Sequence, residues 1–420
     1  MRVLIVNTSE RTGGAAVAAH RLMEALNNNG VKAKMLVMEK VGDALTVADC
    51  GSPWAHQLHF LWERFCIWVS NGFSRKNLFK VSIANAGTDI TRTPEFREAD
   101  IIHLHWINQG FLSLKGIRQI LASGKPVVWT MHDMWPVTGI CHHAYTCLRY
   151  QTGCHDCPFL NRPGRHDLSQ RVFSRKQRLL AGQRVSFVAV SKWLEEKARS
   201  SMLTQGHDVS VVPNAIALHQ FRPVPRADAR QSMGISERYV VAFGAARIDD
   251  DIKGFCYLTQ ALHLLTDSGR LRRDDLRLLL FGGIRDEQRL QDIPVPYTYM
   301  GYVNDTQRLS QLYSASNCLV SSSLYETFGQ TLIEAMACGS TPVAFAGSGQ
   351  QDIIAHLSNG YLADYLSAES LAEGIRWALT TDIPAQTLRA SVQQRYAEDV
   401  VAKRYMEVYE QALRPKVMKP

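Results

Sequence analysis

No apolar run in this 420-residue chain is long enough to cross a bilayer as a helix. The opening residues, Met1-Arg2-Val3-Leu4-Ile5-Val6-Asn7, turn polar too soon for a secretory leader and read as a first β-strand. Both observations lead us to expect a cytoplasmic protein. No G-x-G-x-x-G follows that strand, which disfavours a nicotinamide dehydrogenase. There is no aromatic-basic repeat and no helix-turn-helix pattern, so nucleic acid is not an expected partner. Internal repeats and low-complexity segments are also absent, which leaves the whole length available to packed domains.

What is there is an ordinary globular composition, 46% apolar and 20% charged, in a length that suits two or three domains. The net charge of +8 is uneven. Residues 1–205 hold 26 Lys+Arg against 15 Asp+Glu, a balance of +11, and the remainder holds 21 against 24, a balance of −3. A basic first half calls for anionic partners, such as a phospholipid surface or a pyrophosphate-linked acceptor. Short apolar runs at 2–6, 34–37, 100–105, 126–130, 185–190 and 209–213 alternate with helix-compatible stretches, and runs at 239–243, 276–281, 298–301, 318–320 and 342–345 repeat the pattern. This is the signature of an α/β chain. The proline-bearing stretch 216–238 reads as a linker. It divides a domain at 1–215 from a second at 239–390, and 391–420 reads as a terminal helix and tail.

In a parallel sheet, ligands bind at the carboxyl ends of the strands, so the residues that follow each strand are the candidates. Gly13 and Gly14 follow the first strand. They serve either a close backbone approach to a ligand or a turn with positive φ. His105, Trp106, His132 and Asp133 stand at the ends of the third and fourth runs. His132 suits a sugar hydroxyl or a pyrophosphate, the alternative being a satisfied structural histidine. Arg247 and Lys253 lie six apart after the strand at 239–243. A fork and a point charge together neutralise a diphosphate. Asp249, Asp250 and Asp251 oppose that role unless they point away or hold a divalent ion. Glu326 sits at the next strand-to-helix turn, and Glu334 falls about two turns into a helix starting near Thr327 or Phe328. Free N–H groups near Phe328 and Gly329 suit a phosphate, and each carboxylate can accept two hydroxyl hydrogen bonds.

The stretch Tyr325 to Gly339 resembles the E-x7-E motif of family 4 retaining glycosyltransferases, with seven residues between Glu326 and Glu334. Arg247 and Lys253 match that family's basic pair, Thr130 to Trp135 its pocket-histidine segment, and Gly13-Gly14 its glycine loop. The resemblance covers nearly the whole chain. It implies the GT-B fold: two Rossmann-like domains facing a cleft, with the C-terminal helix crossing back to the first domain. It implies transfer of a sugar from a nucleotide-diphosphate sugar, with retention of configuration, to a glycan or polyprenyl-pyrophosphate-linked acceptor. The setting it implies is bacterial surface polysaccharide synthesis at the inner face of the membrane. Arg247, Lys253 and the helix start at Phe328-Gly329 would stabilise the leaving diphosphate. Glu326 would orient the donor sugar, Glu334 the ribose, and His132 a sugar hydroxyl. No catalytic cofactor is called for. Ala215 stands where the family usually has glycine, and Asp352 where it often has glutamate. Two other classes remain: a sugar-nucleotide epimerase on the same architecture, and a non-catalytic interaction protein.

Two stretches fall outside this scheme. Cys141, Cys147, Cys154 and Cys157 form a C-x5-C-x6-C-x2-C pattern with His142, His143 and His155 interleaved. In a reducing compartment that suits a structural zinc, with free thiols or disulfides as the alternatives. The other five cysteines lie among apolar residues and read as core. Residues 56–79 crowd Trp62, Phe65, Ile67, Trp68, Phe73 and Phe79 among Arg64, Arg75, Lys76 and Lys80. That mixture suits either an anionic membrane surface or a helix packed into the first domain with its polar residues outward.

Overall fold

The computed structural model describes residues 1–414; the last six residues of the expected terminal tail lie outside the described residues. The chain forms two compact units, one of residues 1–215 with those from Val401 on, the other of Ile216–Val400.

The first unit is a seven-stranded parallel sheet with the order β3-β2-β1-β4-β5-β6-β7. Its strands are β1 (Arg2–Ser9), β2 (Lys32–Glu39), β3 (Val47–Asp49), β4 (Ile101–Leu104), β5 (Val127–Met131), β6 (Val185–Ala189) and β7 (Asp208–Val211). Helices α1 (Gly14–Asn28), α2 (Pro53–Ser70), α3 (Pro94–Glu98), α4 (Leu114–Ala122), α5 (Leu168–Leu180) and α6 (Lys192–Arg199) connect them. The central strands β4, β5 and β6 are buried at every residue, as parallel strands are when both faces are covered.

α2 reverses the packing that a core helix should show. Its buried residues are His56, Glu63, Arg64 and Ile67, while Trp54, Leu58, Leu61, Trp62, Phe65 and Val69 are exposed. The reading with polar residues outward is therefore corrected. Glu63 turns inward because it accepts hydrogen bonds from the Ile83 and Ala84 N–H groups, both at 2.7 Å, and pairs with Arg64 at 2.9 Å.

The second unit is a six-stranded parallel sheet with the order β10-β9-β8-β11-β12-β13. It opens with α7 (Arg226–Ser232), inside the stretch expected to be a linker. Arg230 ties that helix to the unit by donating to the Ala315 carbonyl at 2.9 Å and to Asn317 at 2.7 Å. The elements that follow are β8 (Tyr239–Arg247), α8 (Phe255–Asp267), β9 (Leu276–Gly283), β10 (Tyr297–Tyr299), α9 (Thr306–Ala315), β11 (Cys318–Ser321), α10 (Gln330–Ala337), β12 (Thr341–Phe345), β13 (Tyr361–Ala363), α11 (Ala368–Thr380), α12 (Ala385–Tyr396) and α13 (Glu398–Leu413). The single terminal helix expected over 391–413 is thus two. It breaks at Ala397, where the Tyr396 carbonyl accepts from the Ile216 N–H at 2.9 Å and Ala397 bridges to Ile216.

The chain end completes the first unit. Val401, Ala402, Tyr405, Val408, Tyr409 and Ala412 enter the same apolar core as Val3, Ile5 and Leu22. Among the described residues, no helix is long and apolar enough to cross a membrane.

Candidate functional site

Each sheet reverses its strand order once, between β1 and β4 in the first unit and between β8 and β11 in the second. At such a point, connections leave to opposite sides and open a crevice beyond the carboxyl ends of the strands. Gly13 and the end of β4 fall at the first reversal, Arg247 and Glu326 at the second.

In the second unit, β8 runs four residues beyond its apolar core and ends on Arg247 itself. A 3₁₀ turn over Asp251–Lys253 follows, and Gly254 then turns the chain into α8 at φ 64°. A side chain on Gly254 would collide with the Ser322 carbonyl. Ser322 Oγ donates to the carbonyl of Gly254 at 2.8 Å, and the Leu324 N–H donates to Ile252 at 2.7 Å. The loop after β8 is thereby fastened to the loop after β11. The result is contact between Lys253 Nζ and Glu326 Oε2 at 2.9 Å. Burial opposes the lysine's charge, but Glu326, helped by Asp250, more than offsets it and raises the ammonium above its ordinary value.

The three aspartates divide between two arginines. Asp249 and Asp250 flank Arg247 at 3.4 and 3.5 Å, while Asp251 pairs with Arg289 at 3.0 Å. The first two therefore do not point away, which corrects that part of the expectation. Both contacts are longer than hydrogen bonds, and the buried Arg247 Nε has no hydrogen-bond acceptor among the described residues. Asp249 also accepts from the N–H groups of Arg285 and Asp286 at 3.1 and 3.2 Å.

The helix after β11 begins later than expected. α10 starts at Gln330, with Gly329 as its N-cap at φ 111°, so the N–H groups of the first turn belong to residues from Gln330 on rather than to Phe328, and that of Leu332 donates to the Gly329 carbonyl at 3.1 Å. Phe328 is buried, its ring edge-on to Tyr396 at 5.7 Å. Glu334 is the fifth residue of this eight-residue helix, little more than one turn in. It is 7% exposed and accepts from Tyr313 Oη at 3.1 Å. Tyr313, on α9, carried no sequence signal for this partnership.

In the first unit, Gly13 takes φ 90° and caps α1, and nothing lies within 4 Å of where a side chain would project. The turn with positive φ is thus present at Gly13. Nearby, the fully buried Glu10 accepts from the N–H groups of Val41 and Gly42 at 2.7 and 2.8 Å. Burial opposes its charge, yet these donors and Arg11 hold its carboxyl below the usual range.

His132, half-buried after β5, meets His105 in a 2.9 Å contact between Nε2 and Nδ1. The His105 ring lies tilted at 47° to that of the buried His103, their centroids 4.2 Å apart. His103 in turn contacts Tyr409 Oη and Thr130 Oγ1, both at 2.8 Å, and Thr130 contacts Tyr405 Oη at 2.9 Å. Burial pushes His103 down to about 3 and His132 down to about 4. Both rings are thus neutral near pH 7, so each offers one donor and one acceptor. Asp133 faces elsewhere. It accepts from Trp106 Nε1 at 2.7 Å and from the Trp135 N–H at 2.8 Å, and it pairs with His142 at 2.6 Å. Burial opposes its charge, but His142 holds it down to about 2. His105 was legible from its place at the end of β4; Tyr405 and Tyr409, far away in sequence, were not.

The four loop cysteines line one pocket with Thr138, Tyr150 and Ser169. All are free thiols. Burial pushes Cys154 up to about 12 and Cys157 to about 11, and raises Cys141 as well. Among the described residues, no three His, Cys, Asp or Glu side chains stand in metal-holding geometry. Of the remaining five, Cys50, Cys318 and Cys338 are buried, but Cys66 is half-buried and Cys256 exposed, which corrects the core reading for those two.

Comparison with known proteins follows the same division of the chain. Residues 12–220 match the model of Glycosyltransferase Family 4, and residues 225–395 that of Glycosyl transferases group 1. The chain is 26% identical over 321 residues to the phosphatidyl-myo-inositol mannosyltransferase of Mycobacterium tuberculosis, covering 74% of this chain and 73% of that one. It is 27% identical over 216 residues to the lipopolysaccharide 1,2-N-acetylglucosaminetransferase of Salmonella typhimurium, covering 47% of this chain and 55% of the enzyme's own length. The crystal structure of Anabaena HepE in complex with UDP and glucose superposes with a TM-score of 0.63 at 16% identity, covering 98% of this chain and all of that one. With that likeness, the two parallel-sheet units are those of the GT-B fold.

Proposed function

We propose, since this chain belongs to glycosyltransferase family 4, that it transfers a sugar from a nucleotide-diphosphate donor to a glycan or lipid-linked acceptor in surface polysaccharide synthesis. The observation that carries the reading is the grouping of Arg247, Lys253 and Glu326 at the strand-order reversal of the second unit, with Lys253 held 2.9 Å from Glu326. Two cations at and just beyond the carboxyl end of β8, one with an unsatisfied Nε, suit a diphosphate. A diphosphate arriving there competes with Asp249 and Asp250 for Arg247 and with Glu326 for Lys253. Glu326, released from Lys253, would accept hydroxyls of the donor sugar through Oε2. HepE, crystallised with UDP and glucose, supports a nucleotide-sugar donor, and the Salmonella enzyme supports the polysaccharide setting.

In the proposed step, the bond between the anomeric carbon and the diphosphate oxygen breaks, and the acceptor oxygen bonds to the same carbon with retained configuration. The acceptor's proton goes to the departing phosphate oxygen, so no enzymic base is required. Arg247 and Lys253 stabilise the charge that grows on the diphosphate, which is the part of the barrier a preorganised cation lowers. Glu334, which accepts from Tyr313 Oη, would also accept from a ribose hydroxyl. His132, neutral, can donate to or accept from a sugar hydroxyl.

Calorimetry with UDP, GDP and ADP tests the donor site on the wild type, Lys253→Ala and Glu334→Ala. Tight binding of one nucleotide, weakened by both substitutions, is the expected outcome. Well-folded protein that binds none of the three would overturn the reading. Turnover of the donor only when an acceptor is supplied separates a transferase from an epimerase.

A further inference from the structure

The outward face of α2 is apolar along its whole length. Trp54, Leu58, Leu61, Trp62, Phe65 and Val69 recur at helical spacing and are exposed, Trp54 at 78%. Phe73 and Phe79 extend the patch beyond the helix end, at 64% and 69% exposed. Chance exposure scatters such residues singly; here they are contiguous.

The helix is also locked in this orientation. Its inward face carries the Glu63–Arg64 pair, which clamps the following loop through the N–H groups of Ile83 and Ala84 and the carbonyl of Val81. Turning the apolar side inward would break that clamp and expose an ion pair that the fold has gone to some length to bury. Just past the helix, Phe73 holds φ 60°, a costly conformation for an aromatic residue, and its ring stands edge-on to Trp68 at 4.8 Å.

Charge identifies the occupant. Between Asp49 and Asp89 the only acidic residue is Glu63, and it is buried. Arg75, Lys76 and Lys80 are exposed beside the patch, and the exposed Arg162 lies against Gly72 at the helix end. A second copy of the chain would bring the same basic rim against itself. An anionic bilayer meets both requirements at once, taking the tryptophan, leucine and phenylalanine side chains at its interface and the basic rim at its headgroups.

We propose that α2 and the turn that follows it form a docking surface that lies in the plane of an anionic lipid bilayer. The inference is independent of the donor site.

Co-sedimentation of the full chain with extruded vesicles tests it, using phosphatidylglycerol–phosphatidylethanolamine against pure phosphatidylcholine. The wild type is expected to pellet at least tenfold more with the anionic vesicles, with a blue shift in tryptophan emission, and to be released by high salt in part only. Trp62→Ser with Phe65→Ser, both exposed, should abolish pelleting while leaving the thermal midpoint unchanged. Arg75→Gln, Lys76→Gln and Lys80→Gln together should remove the preference for anionic lipid. Failure of the wild type to pellet would overturn the proposal, as would equal pelleting of the Trp62/Phe65 variant. A lipid-free dimer that the same double substitution dissolves would assign the face to a second copy instead.

Discussion

Removing the Lys253 ammonium leaves the Glu326 carboxylate without the cation it faces at 2.9 Å. Lys253→Ala should lower kcat/KM by about 10²- to 10³-fold, the cost of losing one preorganised charge from a transition state. Lys253→Arg should recover part of that loss, and steady-state kinetics with saturating acceptor measures both. The histidines make a second prediction. His103 and His132 sit at about 3 and about 4, against 6.5 for a free imidazole. The unfolded chain therefore binds more protons than the folded one throughout that interval. Their contribution is complete above about pH 6.5 and is lost as pH falls towards 4. Urea midpoints should decline steadily across this window, before Asp133, held at about 2, begins to contribute its own loss below its unfolded value. A flat midpoint between pH 6.5 and 4.5 would mean that these rings titrate normally.

The joint between the loops after β8 and β11 depends on Gly254, which has both a positive φ and no room for a side chain. Gly254→Ala should cost about 1–3 kcal/mol of stability and weaken nucleoside-diphosphate binding together, because the same joint brings Lys253 to Glu326. Chemical denaturation and calorimetry on one preparation test the coupling. In the cysteine loop, thiols raised to about 11 and 12 should react slowly with a thiol reagent at pH 8 and fully once the chain unfolds. A burst of reactivity on adding a chelator would instead reveal thiolates held by zinc. Elements of this kind differ in how well the sequence announced them. Parallel strands were legible because their apolar runs are bounded by turns, as β5, β6 and β11 show. The orientation of α2 was not, because periodicity marks a stripe without saying whether it faces the core or the solvent. The start of α10 was misplaced because a left-handed glycine, not a side-chain cap, begins it. Arg247, Lys253, Glu326, Glu334 and His132 could be picked out by their place after strands, but the contacts Lys253–Glu326, Glu334–Tyr313 and His132–His105 come from geometry between elements.

At the level of the whole chain, the two units are unequal in their connectivity. The second is continuous in sequence, from Ile216 to Val400, whereas the first needs the residues from Val401 on. Tyr405 and Tyr409 satisfy Thr130 and His103 in the centre of the first sheet. A chain ending at Val400 should therefore lose the cooperative unfolding transition of the first unit and keep that of the second. Limited proteolysis should then leave a resistant fragment close to 216–400.

The contact between His103 and Tyr409 joins residues 306 apart in sequence. On the ribosome this inverts the order of manufacture. The amino-terminal sheet is made first yet stays incomplete while the next 185 or so residues are added, a wait of roughly 10 to 40 s at about 5–20 residues per second. In that interval the later unit can finish folding beside an unfinished neighbour. The half of the molecule that is made first is thus the last to mature, and its fold waits on the core residues between Val401 and Ala412.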